Sequence, residues 1–134
     1  MSAAATKRDI ARVQKLLGDQ ALLKTRVVAT GIYADIVRAW PVDTGRSRAA
    51  WNMSARRPDT STPPEGESFP APPPPSLADL RLGDSVYIVN AVEYAAALND
   101  GHSSQMPAGT VEAVAAKWAA LGAHVSVAQT GIGS

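Results

Sequence analysis

The chain has 134 residues, a formal net charge of +1, no cysteine, and only one Phe, three Tyr and three Trp. That length predicts one domain, 1–134, with a single modest core; so few aromatics leave the packing mainly to aliphatic and alanine side chains, which suits a protein whose remaining apolar surface is buried against other copies. The lack of cysteine excludes disulfides and thiolate metal sites, residues 1–9 lack the apolar stretch of a signal peptide, and no run approaches the roughly 18 apolar residues of a membrane span, so a soluble chain made in a cytoplasm is expected.

The elements follow from periodicity. A first helix is predicted from Thr6, with Asp9 three residues on as a weak capping box and Ile10, Val13, Leu16 and Leu17 on one face. Gly18-Asp19 interrupts it, and Asp19 starts a second helix in which Ala29, Ile32, Tyr33, Ile36, Val37 and Trp40 recur at helical spacing until Pro41 ends it. Arg48 to Arg57 reads as a strand with Ala49, Trp51 and Met53 on one face. From Pro58 to Pro75 lie eight of the ten prolines, which predicts an extended, polyproline-like arm outside the core that a partner must order. Asp84 to Asn90 is the strongest strand, apolar enough to be buried on both faces. Glu93 to Asp100 reads as a short helix ended by Gly101, and Pro107 opens another whose stripe is Val111, Val114, Ala115, Trp118 and Leu121, stopped by Gly122. The tail from Ala123 alternates well enough to add an edge strand, with fraying from Thr130 to Ser134. The result is an α+β fold: amino-terminal helices on a small, mainly antiparallel sheet, a long Pro-rich loop at 58–76, and a carboxyl-terminal helix. Trp40, Trp51 and Trp118 are expected to share one core with Ile36, Val86, Ile88 and Val114.

The charge total hides an asymmetry. Residues 1–57 hold eleven Lys and Arg against Asp9, Asp19, Asp35 and Asp43, a net of +7, whereas residues 58–134 hold Arg81 and Lys117 against eight acids, a net of −6. Separate solvated faces, a head-to-tail contact between subunits, and nucleic-acid binding by the basic half all fit this pattern, although the basic half has no aromatic stacking platform.

Catalytic chemistry has little to stand on. Asp100, His102 and Ser103 share one loop and lack a nucleophile elbow, His102 and His124 are too far apart in sequence to read as a metal motif, and no glycine set forms a phosphate cradle, so no catalytic, cofactor or metal residue is assigned and no enzyme is expected. Asp43, Thr44 and Gly45 instead predict a turn, Asp43 accepting from the N–H groups of Thr44 and Gly45. Arg46 and Arg48 then project together from the start of a strand and suit carboxylate pairing. The Ser103-Ser104-Gln105 loop and Pro107 form a polar hinge of the kind that recognises another protein. Arg46 and Arg48 on one surface, with Glu93, Tyr94, Asp100 and Gln105 on the other, are the candidate subunit contacts.

Two blocks carry a further signal by their order and spacing: Pro41-Val42-Asp43-Thr44-Gly45-Arg46 with Arg48 and Trp51, and later Asn90, Tyr94-Ala95, Leu98, Gly101, Ser103, Gln105, Pro107 and Gly109. Over roughly residues 20–120 the chain resembles the neck and tail-completion proteins of long-tailed bacteriophages, the family named after the tenth gene product of phage HK97. It departs from that pattern at Ser47, where relatives tend to carry leucine, at Asn99, where an acidic residue is common, and at Met106, where alanine is usual. The resemblance implies a structural virion protein, assembled in the host cytoplasm into a homo-oligomeric ring, a hexamer by the symmetry of such tails. Its partners would be the head connector or adaptor and the tail terminator or tail-tube proteins, with DNA passing through the lumen unread. A terminator or head-closure ring of the same junction is the nearest alternative, and a small nucleic-acid-binding protein is the alternative from another class.

Overall fold

A computed structural model of the chain describes residues 3–66, 68–121 and 125–129. The amino-terminal helix α1 (Ala3–Ala39) runs uninterrupted for 37 residues, where the sequence predicts two helices parted at Gly18-Asp19. A glycine inside a helix costs only about 1 kcal/mol relative to alanine. Asp19, instead of capping a new helix, pairs with Lys15 one turn earlier at 3.4 Å.

This helix carries two apolar faces. Val28, Ala29, Ile32, Tyr33, Ile36, Val37 and Trp40 are buried against the body. Ile10, Val13, Leu16, Leu17, Leu23 and Val27 are each more than half exposed, and at about 100° per residue they point roughly opposite to the buried set. Burying an aliphatic side chain of this size stabilises by about 1.5–3 kcal/mol, so the outer face holds a large unused contribution.

After Pro41 the chain bends through residues 43–45 into a single helical turn, α2 (Arg46–Ala49), and only then enters β1 (Trp51–Ala55). The predicted strand start at Arg48 is therefore wrong by three residues. The cause is Ser47, which is drawn inward: its hydroxyl accepts the Trp40 indole N–H at 2.8 Å and its carbonyl accepts the Asn90 amide at 2.7 Å. Trp51 and Met53 point inward along β1 as the alternation predicts. Arg56 ends the strand at φ 72, a left-handed conformation uncommon outside glycine. Its guanidinium reaches Asp84 at 2.7 Å and Asp79 at 3.0 Å.

Strand β2 (Val86–Asn90) lies between β1, to which it is antiparallel with Trp51 opposite Asn90, and β3 (Val125–Gln129), to which it is parallel with Ile88 opposite Val127. The fold is thus α+β with a mixed sheet, and the edge strand expected from the tail pairs in parallel. Its central position explains why β2 is almost wholly apolar, with Val86, Ile88, Val89 and Asn90 buried. The expected stop at Gly122 and the fraying of Thr130 to Ser134 lie outside the described residues.

Trp40 and Trp51 meet edge to face, 5.0 Å between centroids at 89°. Tyr33 donates to the Trp51 carbonyl at 2.7 Å, and burial pushes its phenol up to about 12. The third tryptophan is placed differently. Trp118, on α4 (Thr110–Ala119), packs half-buried against the core where α4 crosses α1, its indole lying so close to Gly31 that a Cβ there would sit 2.4 Å from Cζ2. Trp118 Nε1 and Lys117 Nζ both donate to Asp35 Oδ2 at 3.0 Å. Burial pushes the Asp35 carboxyl up, but the Trp118 indole, Lys117 and Arg38 outweigh it and hold the group below the ordinary aspartate value.

Gly31→Val is expected to unseat Trp118, shifting its fluorescence to the red and costing about 1–3 kcal/mol in denaturant unfolding. Because Asp35 is depressed in the folded state, the stability it confers is fully present above the ordinary value of 3.8 and is lost as pH falls through the lower folded one. The deficit of Gly31→Val should therefore narrow only below about pH 4. Unchanged emission and stability would contradict this seat for Trp118.

Candidate interaction cleft

The cleft is built from the two turns that follow Trp40 and Asn90. Asn90 is fully buried; while its Nδ2 donates to Ser47, its Oδ1 accepts the Val92 N–H at 3.1 Å, so one side chain joins the first turn to the segment leading to Tyr94. A second bridge comes from Gln105. Its amide oxygen accepts the Val42 N–H at 2.8 Å and its amide nitrogen donates to the Val42 carbonyl at 3.0 Å, pairing with backbone as a neighbouring strand would. Between the walls, residues 41–47 on one side and Tyr94, Leu98, His102, Ser103 and Gln105 on the other, lies an open cavity of about 440 Å³.

Asp43, Thr44, Gly45, Arg46, Tyr94 and Gln105 thus line one space, and Glu93 and Asp100 stand exposed beside its lining residues in the chain. Arg48 is not part of it. The turn also differs in detail from expectation: the Arg46 N–H is held by Thr44 Oγ1 at 3.2 Å, so the turn's side-chain bond comes from Thr44 where Asp43 is predicted to supply it.

The two arginines do not stand on a strand, and both are engaged within their own chain. Arg46 Nε donates to the Pro63 carbonyl at 3.1 Å, and Arg48 Nη2 to the Phe69 carbonyl at 3.4 Å. Phe69 N–H in turn donates to Thr44 O at 2.9 Å. Gly45, at φ 88, has no side chain to obstruct this approach; a Cβ there would lie 2.4 Å from Phe69 O. Asn52 holds the start of the arm through the carbonyls of Asp59 and Ser61 at 3.0 and 2.7 Å. The Asp-Thr-Gly-Arg block is therefore the anchor of the proline-rich arm as well as a wall of the cleft. Arg48 Nε and Trp51 Nε1 are buried without a hydrogen-bond partner among the described residues.

Asn99 organises the other wall. The short helix α3 (Ala95–Asn99), narrower than the predicted Glu93 to Asp100, ends with Gly101 at φ 98 as expected of a left-handed cap. Asn99 is almost fully buried: its Oδ1 accepts the Val111 N–H at 2.9 Å, its Nδ2 donates to both Glu112 oxygens at 3.0 and 2.8 Å, and its carbonyl accepts the Gly109 N–H at 2.8 Å. Because this distant side chain satisfies a first-turn donor, α4 starts at Thr110 after a left-handed Gly109, three residues later than Pro107 predicts. The Asn99 amide holds the Glu112 carboxyl below its ordinary range. Sequence reasoning missed Ser47, Asn90 and Phe69 as organisers; the lone phenylalanine of a proline-rich stretch is the only local signal among them.

Asp100, His102 and Ser103 form no hydrogen bond with one another among the described residues; Ser103 Oγ accepts the Gln105 N–H at 3.1 Å. No group of three or more His, Cys, Asp or Glu that could hold a metal ion occurs among the described residues. Comparison with protein-family models, curated proteins and solved structures returned no match to this chain.

Two substitutions test the walls. Gly45→Ala should speed amide exchange at Phe69 markedly while leaving Trp40 and Trp51 emission intact, since the added methyl meets Phe69 O and the backbone is left-handed there; unaltered exchange would deny the anchor. Asn99→Asp replaces a donor to Glu112 by a like charge, and should cost about 1–3 kcal/mol at neutral pH. That cost should shrink as pH falls and one carboxyl takes a proton to restore the bond, and a pH-independent cost would contradict the pairing.

Proposed function

We propose that this chain is a structural protein of a long-tailed bacteriophage virion. Several copies, six by the symmetry of such tails, form a ring at the head–tail junction that joins the head connector to the tail terminator or tail tube and leaves a lumen for DNA. The observation that carries the reading is that two blocks far apart in sequence, each resembling the neck and tail-completion proteins, line one cleft and are held together by the Gln105–Val42 bridge. An apolar outer face on α1 and an open cleft lined in part by Asp43 add support, because a subunit of a head-to-tail ring needs two different contact surfaces. The role is one of contact, with no chemistry assigned to any residue.

A second reading, a small nucleic-acid-binding protein, draws on Lys7, Arg8, Arg12, Lys15 and Lys24 along the exposed part of α1. It predicts tight duplex binding that weakens steeply with salt. The two are separated genetically. A nonsense codon in this gene, in the virus that encodes it, should yield DNA-filled heads and complete tails that remain unjoined, with joining restored by the chain supplied in trans. Normal particles without the chain would overturn the proposal.

A further inference from the structure

We propose that the amino-terminal half of α1 leaves its own subunit and docks on the cleft of a second copy, setting the ridge Ile10, Val13 and Leu17 against Val42 and Tyr94 and bringing Arg8 and Arg12 to Glu93 and Asp100. This deepens the ring reading and rests on it. Residues 6–17 are exposed throughout, so at about 1.5 Å per residue roughly 18 Å of helix stands clear of the body. Ile10, Val13 and Leu17 follow one another at i, i+3 and i+7, and an exposed apolar ridge of this length on a soluble chain marks a surface that another surface covers.

Charge selects the occupant. Between residues 7 and 26, α1 carries Lys7, Arg8, Arg12, Lys15, Lys24 and Arg26 against Asp9 and Asp19 only, so pairing two such helices in either direction sets like charges together. The complementary surface is on the same chain. Asp43 lines the cleft, Glu93 and Asp100 are exposed and lie one and two residues along the chain from lining residues, and Val42 and Tyr94 in the lining are exposed by 37% and 40%. Among the described residues, neither these three acids nor Lys7, Arg8 and Arg12 form an ion pair, whereas Asp35, Asp79 and Asp84 are all paired internally. Arg46, the cation inside the cleft, is turned to the Pro63 carbonyl. Because residues 6–17 are exposed on their own subunit, the contact proposed is between copies, and it joins two different surfaces, as ring closure requires.

The absence of cysteine makes a direct test available. Particles assembled with the Val13→Cys/Tyr94→Cys variant, and the purified variant, are treated with a short bismaleimide and resolved by mass. A ladder of covalent multimers, absent from either single variant, is expected. Arg8→Glu with Arg12→Glu should lower its yield at least tenfold, and Glu93→Arg with Asp100→Arg in the same chain should restore it. Particles that contain the ring but give no Val13–Tyr94 ladder overturn the docking and leave the ring reading intact; particles that lack the chain overturn both. Dimers from Val13→Cys alone would assign the face to symmetric helix pairing. A monomeric chain whose binding to duplex DNA or anionic vesicles is lost in Ile10→Asp with Leu17→Asp would assign it to those partners, and either result overturns the proposal.

Discussion

The structure turns on a buried serine. Ser47 receives the indole N–H of Trp40 on its hydroxyl and the side-chain amide of Asn90 on its carbonyl, which ties the end of α1, the turn α2 and the central strand β2 at one point. Groups this deeply buried are costly to leave unpaired, about 1–3 kcal/mol each, so the three partners hold one another in place. Trp40 so fixed meets Trp51 edge to face, and Asn90 so fixed spends its remaining oxygen on Val92, which sets the path toward Tyr94. The cleft is a consequence: one wall follows Trp40 in the chain and the other follows Asn90, and Gln105 joins them by pairing with Val42.

The same turn solves the problem of the proline-rich arm. A segment of such composition buries too little apolar surface to order itself. Here it is held by its carbonyls, at Asp59, Ser61, Pro63 and Phe69, from Asn52, Arg46 and Arg48. At its base Arg56, paired with Asp79 and Asp84, brings the two ends of the excursion together. The hydrogen bonds to Asp84 from the Arg81 N–H and from Arg56 hold its carboxyl below the ordinary aspartate range. Carbonyl acceptors suit a proline-rich segment, since proline has no N–H to offer, and arginine and asparagine are among the side chains that donate to them.

Much of this was legible beforehand because it rests on local pattern. The spacing of Ala29 to Trp40 marked the buried face of α1, the run from Val86 to Val89 marked the central strand, and Gly101 marked a left-handed helix end. What could not be read depends on partners distant in sequence. Nothing near Gly18 shows that the helix continues, since that is a balance between a small glycine cost and a long helix on either side. Arg46 to Ala49 looks like a strand entry until Asn90, 43 residues away from Ser47, pulls the segment inward. The late start of α4 depends on Asn99, and the parallel pairing of β3 on a crossover that no residue of β3 announces. Arg46 and Arg48 suggested carboxylate partners by their type, but the structure gives them carbonyls of the arm.

Helix α1 has one apolar face in its own core and another exposed to solvent, a surface that another surface can cover. The proposed ring makes use of both the outer face of α1 and the cleft, and it leaves catalysis out. An electron cryo-microscopy reconstruction of the head–tail junction of particles assembled with this chain tests that account most directly. The account predicts a closed ring between connector and tail in which every cleft is occupied by an adjacent copy and the lumen admits duplex DNA. A junction whose rings are all accounted for by other chains would contradict it.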